Sequence, residues 1–152
     1  MPDSALKTRL MSDMKSSMKS GDKARLLVIR NMLSAIKQIE VDERIDLDDA
    51  RVIAVLDKMS KQRRESIAQF TTAGRDDLIK IEADELEIIQ EYLPEALSDA
   101  EIEALIDDAI STSAASSIKE MGKVMGILKP KLQGRADMGK VSQLIKTRLA
   151  PA

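Results

Sequence analysis

The 152-residue sequence has no cysteine, no histidine and no tryptophan, and its only aromatic side chains are Phe70 and Tyr92. Without cysteine there are no disulfides, zinc–thiolate sites or thiol nucleophiles. Without histidine the commonest general base and metal ligand is missing. Ser-His-Asp and Cys-His catalysis are therefore excluded, and only lysine, carboxylate or tyrosine remain as bases. The phosphate-cradling pattern G-x-x-x-x-G-K-[ST] is also missing. No cofactor and no metal site are expected. No apolar run approaches the ~20 residues of a membrane span, and the opening M-P-D-S-A-L-K lacks a signal peptide's basic end and apolar run. A soluble cytoplasmic protein with no membrane partner is expected.

So few aromatics leave the core to Leu, Ile, Val, Ala and nine Met, a composition that suits packed helices better than sheets. The formal charge of −2 hides a strong asymmetry. Residues 1–80 hold 16 basic and 13 acidic side chains, 81–118 hold 0 and 11, and 119–152 hold 8 and 2. An acidic middle followed by a basic end points either to a polyanion partner or to two blocks that attract each other across the fold.

Leu6, Leu10, Met14 and Met18 recur every four residues, predicting a helix capped by Asp3 or Ser4 and stopped by Gly21. Asp22 caps a second helix to about Val41, with Leu26, Ile29, Leu33 and Ile36 inward. Asp48 caps a third to about Thr72, with Val52, Val55, Leu56, Met59, Ile67 and Phe70 inward. Arg63 falls on that same stripe, so it marks either an interhelical ion pair or the stripe's edge. A fourth helix starts near Asp76, carries Leu78, Ile81, Ile88, Ile89 and Tyr92, and is closed by Pro94. The fold class is thus all-α: an antiparallel four-helix bundle over 1–94, then a small three-helix tail over 95–152. Ser98 with Glu101, and Ser117 with Glu120, are capping boxes on either side of a polar S-T-S-A-A-S-S linker.

The stretch Lys119 to Lys140 holds four of the six glycines, Gly122, Gly126, Gly134 and Gly139. Gly122 and Gly126 fall on one helical face and would leave a shallow groove for another backbone. Pro130 is expected to distort the helix around Ile127 to Lys129. Gly134 ends it, and Asp137 caps a last helix from Met138 to Leu149. Lys123, Lys129, Lys131, Arg135 and Lys140 form a candidate phosphate-tracking patch, with Arg135 presented from the turn near a helix N-terminus. With no aromatic to stack on bases, such a patch reads RNA shape rather than sequence. A second basic face, Arg30, Lys37, Lys58, Lys61 and Arg64, either extends an RNA surface, binds a protein or is simply solvated.

G-K-V-M at Gly122 to Met125 and G-R-A-D at Gly134 to Asp137 resemble the tail signature of the GatB/YqeY family. That family includes the C-terminal region of the aspartyl/glutamyl-tRNA amidotransferase B subunit and small free-standing proteins. The free-standing branch is also matched through G-D-K-A-R-L-L-V-I-R, V-D-E-R, K-Q-R-R-E-S, A-G-R-D-D-L and E-Y-L-P. Eight residues, Gly126 to Gln133, separate V-M from G-R where the subunit has about four, a shift of about 6 Å along a helix. The resemblance implies tRNA as partner, with no DNA expected, and amidotransferase or aminoacyl-tRNA synthetase components as protein partners. It also implies a carbon–nitrogen ligase label with glutamine as amido-N-donor. The sequence contains no nucleophile set for that chemistry, so no autonomous activity is expected.

Overall fold

The computed structural model describes residues 4–150. Among these there are seven α-helices, one short 3-10 turn and no strand: α1 (Ala5–Ser20), α2 (Lys23–Glu43), α3 (Asp49–Ala73), α4 (Asp76–Gln90), α5 (Asp99–Ser113), the turn Ile118–Glu120, α6 (Met121–Leu132) and α7 (Met138–Leu149). The chain divides into two compact units, Met1–Leu93 and Pro94–Ala152.

In the first unit the helix boundaries follow from local chemistry. Ser4, Asp22 and Asp48 accept the backbone N–H of Lys7, Arg25 and Arg51, each three residues on, satisfying amides that a helix start leaves unpaired. Asp3, the other candidate cap of α1, lies outside the described residues. Gly21 (φ 75°) and Gly74 (φ 69°) terminate α1 and α3 in the left-handed conformation. Leu10, Val28, Ile29, Met32, Ile36, Leu47, Val52, Val55, Leu56, Met59, Ile89 and Tyr92 form the core.

Four expected core positions depart from this cluster. Met18 and Ile81 are more than half exposed, and Ile67 and Phe70 are only half-buried. The buried stripe of α3 stops at Ser60, because the core does not extend along all 25 residues of that helix. Beyond it Arg63 holds α3 to α4, with Nε 2.8 Å from Glu85 and 3.6 Å from Glu82. The ion-pair alternative for Arg63 is the one realised. Helix α4 also ends earlier than expected, at Gln90, and Tyr92 enters the core from the following turn.

Buried polar groups tie this unit together. Glu40 accepts from Lys7 Nζ at 2.5 Å and from the Leu47 backbone N–H at 2.9 Å, and these bonds hold its carboxyl below the usual glutamate range. Tyr92 donates to Asp13 at 2.5 Å, and its ring lies 4.5 Å beneath the Arg9 guanidinium. Arg25 reaches Glu91 at 2.5 Å and the Tyr92 oxygen at 3.5 Å. Burial, with the Asp13 carboxylate beside it, pushes the Tyr92 phenol above its ordinary value.

In the second unit Ser98 accepts from the Glu101 N–H at 3.2 Å and starts α5. That helix extends to Ser113, so the first three residues of the expected S-T-S-A-A-S-S linker are helical, and Ala114 ends it with φ 55°. The core here is Ile106, Ala109, Ala115, Val124, Leu128, Leu132, Val141, Ile145 and Leu149.

Candidate nucleic-acid interface

The candidate interface is built on α6, the turn after it and the start of α7. Val124, Leu128 and Leu132 are fully buried and recur every four residues, which fixes the inner face of α6. Gly122, Gly126 and Pro130 also recur every four residues, offset from the first set by two and hence by about 200°. All three are exposed. A Cβ added at Gly122 or Gly126 would meet nothing within 4 Å. The glycine pair therefore admits no neighbouring backbone within its own unit, contrary to expectation; it is an open strip facing outward.

Pro130 does not break the helix, which continues to Leu132. Standing in the last turn, it costs at most one terminal backbone bond, and the expected distortion at Ile127 to Lys129 gives way to a continuous helix. The start of α6 also differs, because Ile118–Glu120 form a 3-10 turn and the α-helix begins at Met121. Ser117 makes no side-chain cap; instead Glu120 Oε1 accepts from both the backbone N–H and the hydroxyl of Ser116 at 3.2 Å.

The basic candidates do not form one patch. By helical rotation Lys123 and Lys129 border the glycine strip on its two sides, and both are exposed. Lys123 has Glu120 at 3.8 Å, too long and too exposed a pair to neutralise it. Lys131 is exposed but rotated off the strip. Arg135 is half-buried in the turn, where its Nε donates to the Glu95 carbonyl at 3.0 Å. Its own carbonyl accepts from the Leu97 N–H at 2.9 Å. It is a clamp on the segment leading into α5 rather than a freely presented side chain.

Lys140 lines an open groove of about 420 Å³ between α5 and α7, beside Asp99 and Glu103. Arg148 pairs with Asp107. Arg148 thus realises, at one pair, the attraction between blocks that charge alone left open, and Lys140 shares its groove with carboxylates of the acidic helix. The helix N-terminus at α7 is also already occupied: Asp137 Oδ1 accepts from the Gly139 N–H at 2.9 Å, placing a carboxylate where an anion was expected. Gly134 does adopt the left-handed conformation, φ 77°. Lys119 is exposed in the 3-10 turn ahead of α6, a further cation next to the glycine-bearing helix.

The second basic face also divides. Arg30 and Lys37 line a groove between α1 and α2. Lys58, Lys61 and Arg64 are exposed on α3 and take no part in it. Among the described residues no group of three or more His, Cys, Asp or Glu could hold a metal ion, and no helix is long and apolar enough to cross a membrane.

The sequence model of the family described as Yqey-like protein matches residues 7–149. The chain belongs to that family. Among its Yqey-like relatives, "Altered inheritance of mitochondria protein 41, mitochondrial" of Kluyveromyces lactis is 34% identical over 123 residues, covering 76% of this chain and 66% of the relative. The protein of that name from Lachancea thermotolerans is 36% identical over 105 residues, covering 67% and 56%. That of Saccharomyces cerevisiae (strain ATCC 204508 / S288c) is 32% identical over 125 residues, covering 77% and 66%. The chain spans about two thirds or less of the length of these relatives. Their names place them in mitochondria, which overturns the expectation of a cytoplasmic protein; the names carry no mention of an amidotransferase.

Proposed function

We propose that this Yqey-like protein is an RNA-binding accessory of tRNA transamidation or aminoacylation, docking on a folded RNA such as tRNA through the outer strip of α6. The observation that carries the reading is the exposed strip of Gly122, Gly126 and Pro130 bordered by Lys123 and Lys129, with Lys119 exposed in the turn that precedes the helix. Bare backbone lets a phosphate–sugar chain approach closely, and lysines on both borders supply point charges to it. Without an aromatic in this half, recognition is by shape and phosphate contact. The resemblance of G-K-V-M and G-R-A-D to the amidotransferase tail supports tRNA as the RNA. The relatives' names support mitochondria as the compartment. Arg135, committed to the Glu95 carbonyl, and Lys140, in the groove between α5 and α7, stand at the margin of this surface.

The test is a titration of labelled tRNA against the full chain at several salt concentrations. Three lysine–phosphate contacts give a slope of log affinity against log salt of roughly −2 to −3, at about 0.7–0.9 per contact. Replacing Lys119, Lys123 and Lys129 together by Ala is expected to flatten it. A salt-independent response, or undiminished affinity in the triple variant, rejects the reading.

A second reading, a protein adaptor to amidotransferase or synthetase components, is favoured by the exposed carboxylates Asp99, Glu101, Glu103 and Asp108 on α5, which complement a basic partner surface. Pull-down after ribonuclease treatment separates the two. Carbon–nitrogen ligase activity, implied by the family resemblance alone, finds neither a cysteine nucleophile nor a glycine- and serine-rich amidase loop in this sequence; purified protein is expected to release no ammonia from glutamine.

A further inference from the structure

We propose that the groove between α1 and α2 is a docking site for an amphipathic helix with acidic borders, supplied by a partner protein. This inference uses only the first unit and stands whether or not α6 binds RNA. The groove has a volume of about 600 Å³ and is lined by Lys7, Met11, Met14, Arg30, Leu33 and Lys37, among others. Met11 of the lining and Met18, one turn past Met14 on α1 and beyond the lining itself, are 50% and 51% exposed, although neither is needed to fill the core beneath.

Met11, Met14 and Met18 follow the i, i+3, i+7 pattern and extend about 10 Å along α1. That is the span of two helical turns, the footprint of a short helix laid into a groove. Methionine's unbranched, polarizable side chain adapts to irregular apolar partners, so a row of it suits a surface that must repack on binding.

The charge of the borders selects the occupant. Arg30 Nη2 lies 3.8 Å from Met18 Sδ, and among the described residues no carboxylate pairs with Arg30, Lys37 or Lys15 at ion-pair distance. Lys15 is the next exposed cation on α1. The two groove carboxylates do not cancel this excess. Glu40 is buried and bound to Lys7, which leaves Asp46 as the exposed acid of the lining. An apolar floor with cationic borders complements an apolar helix face flanked by Glu or Asp. RNA is the poorer fit: its phosphates gain nothing from a methionine floor, and the groove offers no aromatic for base stacking.

The experiment follows the methyl signals of the nine methionines in the intact chain by NMR. The probe is a synthetic 14-residue peptide with Leu at helical spacing and Glu on both flanks. The expected result is shifts centred on Met11, Met14 and Met18, with fluorescence anisotropy showing at least a tenfold loss of affinity in Met18→Glu and in Arg30→Glu with Lys37→Glu. These positions are exposed, so an unchanged thermal melt certifies the fold of each variant. A peptide with Lys in place of Glu is expected not to bind. The proposal is overturned by absence of shifts at these three methyls, by equal binding of the Lys peptide, or by full affinity in both variants. It is also overturned if tRNA, and not the peptide, moves those signals.

Discussion

The two units solve the same packing problem with different materials. Among the described residues the four buried polar ones, Ser4, Ser17, Glu40 and Ser60, all lie in the first unit, whereas the buried core of the second is apolar throughout. In the first, Glu40 and the Tyr92–Asp13–Arg25 set bridge elements far apart in sequence. A hydrophobic contact tolerates sliding, but a buried carboxylate with two fixed donors accepts one geometry. The lesson is that the first unit gains specificity of arrangement at the expense of dependence on pH, while the second relies on area buried.

The comparison makes its largest prediction in the apolar unit. Leu128→Ala removes a fully buried side chain and is expected to cost about 3 kcal/mol, read as lost hydrogen-exchange protection in α6 with α2 unaffected. Equal loss in both units would deny their independence. A smaller effect is expected in the polar unit from Tyr92→Phe, which keeps the ring but deletes the bond to Asp13 and leaves that carboxylate with one partner fewer. About 1–2 kcal/mol is expected, read in α1 and α4.

The pH dependence sharpens the contrast further. Glu40 is held below its ordinary value in the folded state, so the unfolded chain takes up its proton first as pH falls. Its contribution is present above the usual glutamate range and is lost as pH drops through the lower folded value. The first unit should therefore lose exchange protection in acid before the second, and Glu40→Gln should flatten that acid limb. The phenol of Tyr92 works in the opposite sense: raised when folded, it contributes below its ordinary value of about 10 and is lost as pH climbs beyond it. The smallest effect is expected from Arg135→Ala, about 0.5–1 kcal/mol for one exposed hydrogen bond, confined to the amides around Leu97.

Much of this could be read from sequence because helix ends are decided locally. Ser4, Asp22, Asp48, Ser98 and Asp137 each cap where their side-chain chemistry indicates, and Gly21 and Gly134 take the left-handed conformation expected of them. What periodicity does not report is where a partner helix stops. Ile67, Phe70 and Ile81 continue good apolar patterns past the core, and Gly122 and Gly126 mark a face without saying what covers it. Long-range ties were equally hidden: Tyr92 and Asp13 are 79 residues apart, and nothing local announces their pairing. Several stretches that carried the family resemblance now have a structural reason, with Arg25 of G-D-K-A-R on Glu91 of E-Y-L-P and Arg63 of K-Q-R-R-E-S on Glu85. Spacing alone grouped Arg135 and Lys140 with lysines they do not join, because the bond of Arg135 to the Glu95 carbonyl is 40 residues away in sequence.

The clamp at Arg135 ties the turn after α6 to the entrance of α5 through two bonds made by one residue, its Nε–H to the Glu95 carbonyl and its own carbonyl to the Leu97 N–H. Removing the guanidinium deletes the first and leaves the second, because the backbone carbonyl stays in place. A stitch across some 40 residues of sequence thus loosens by halves.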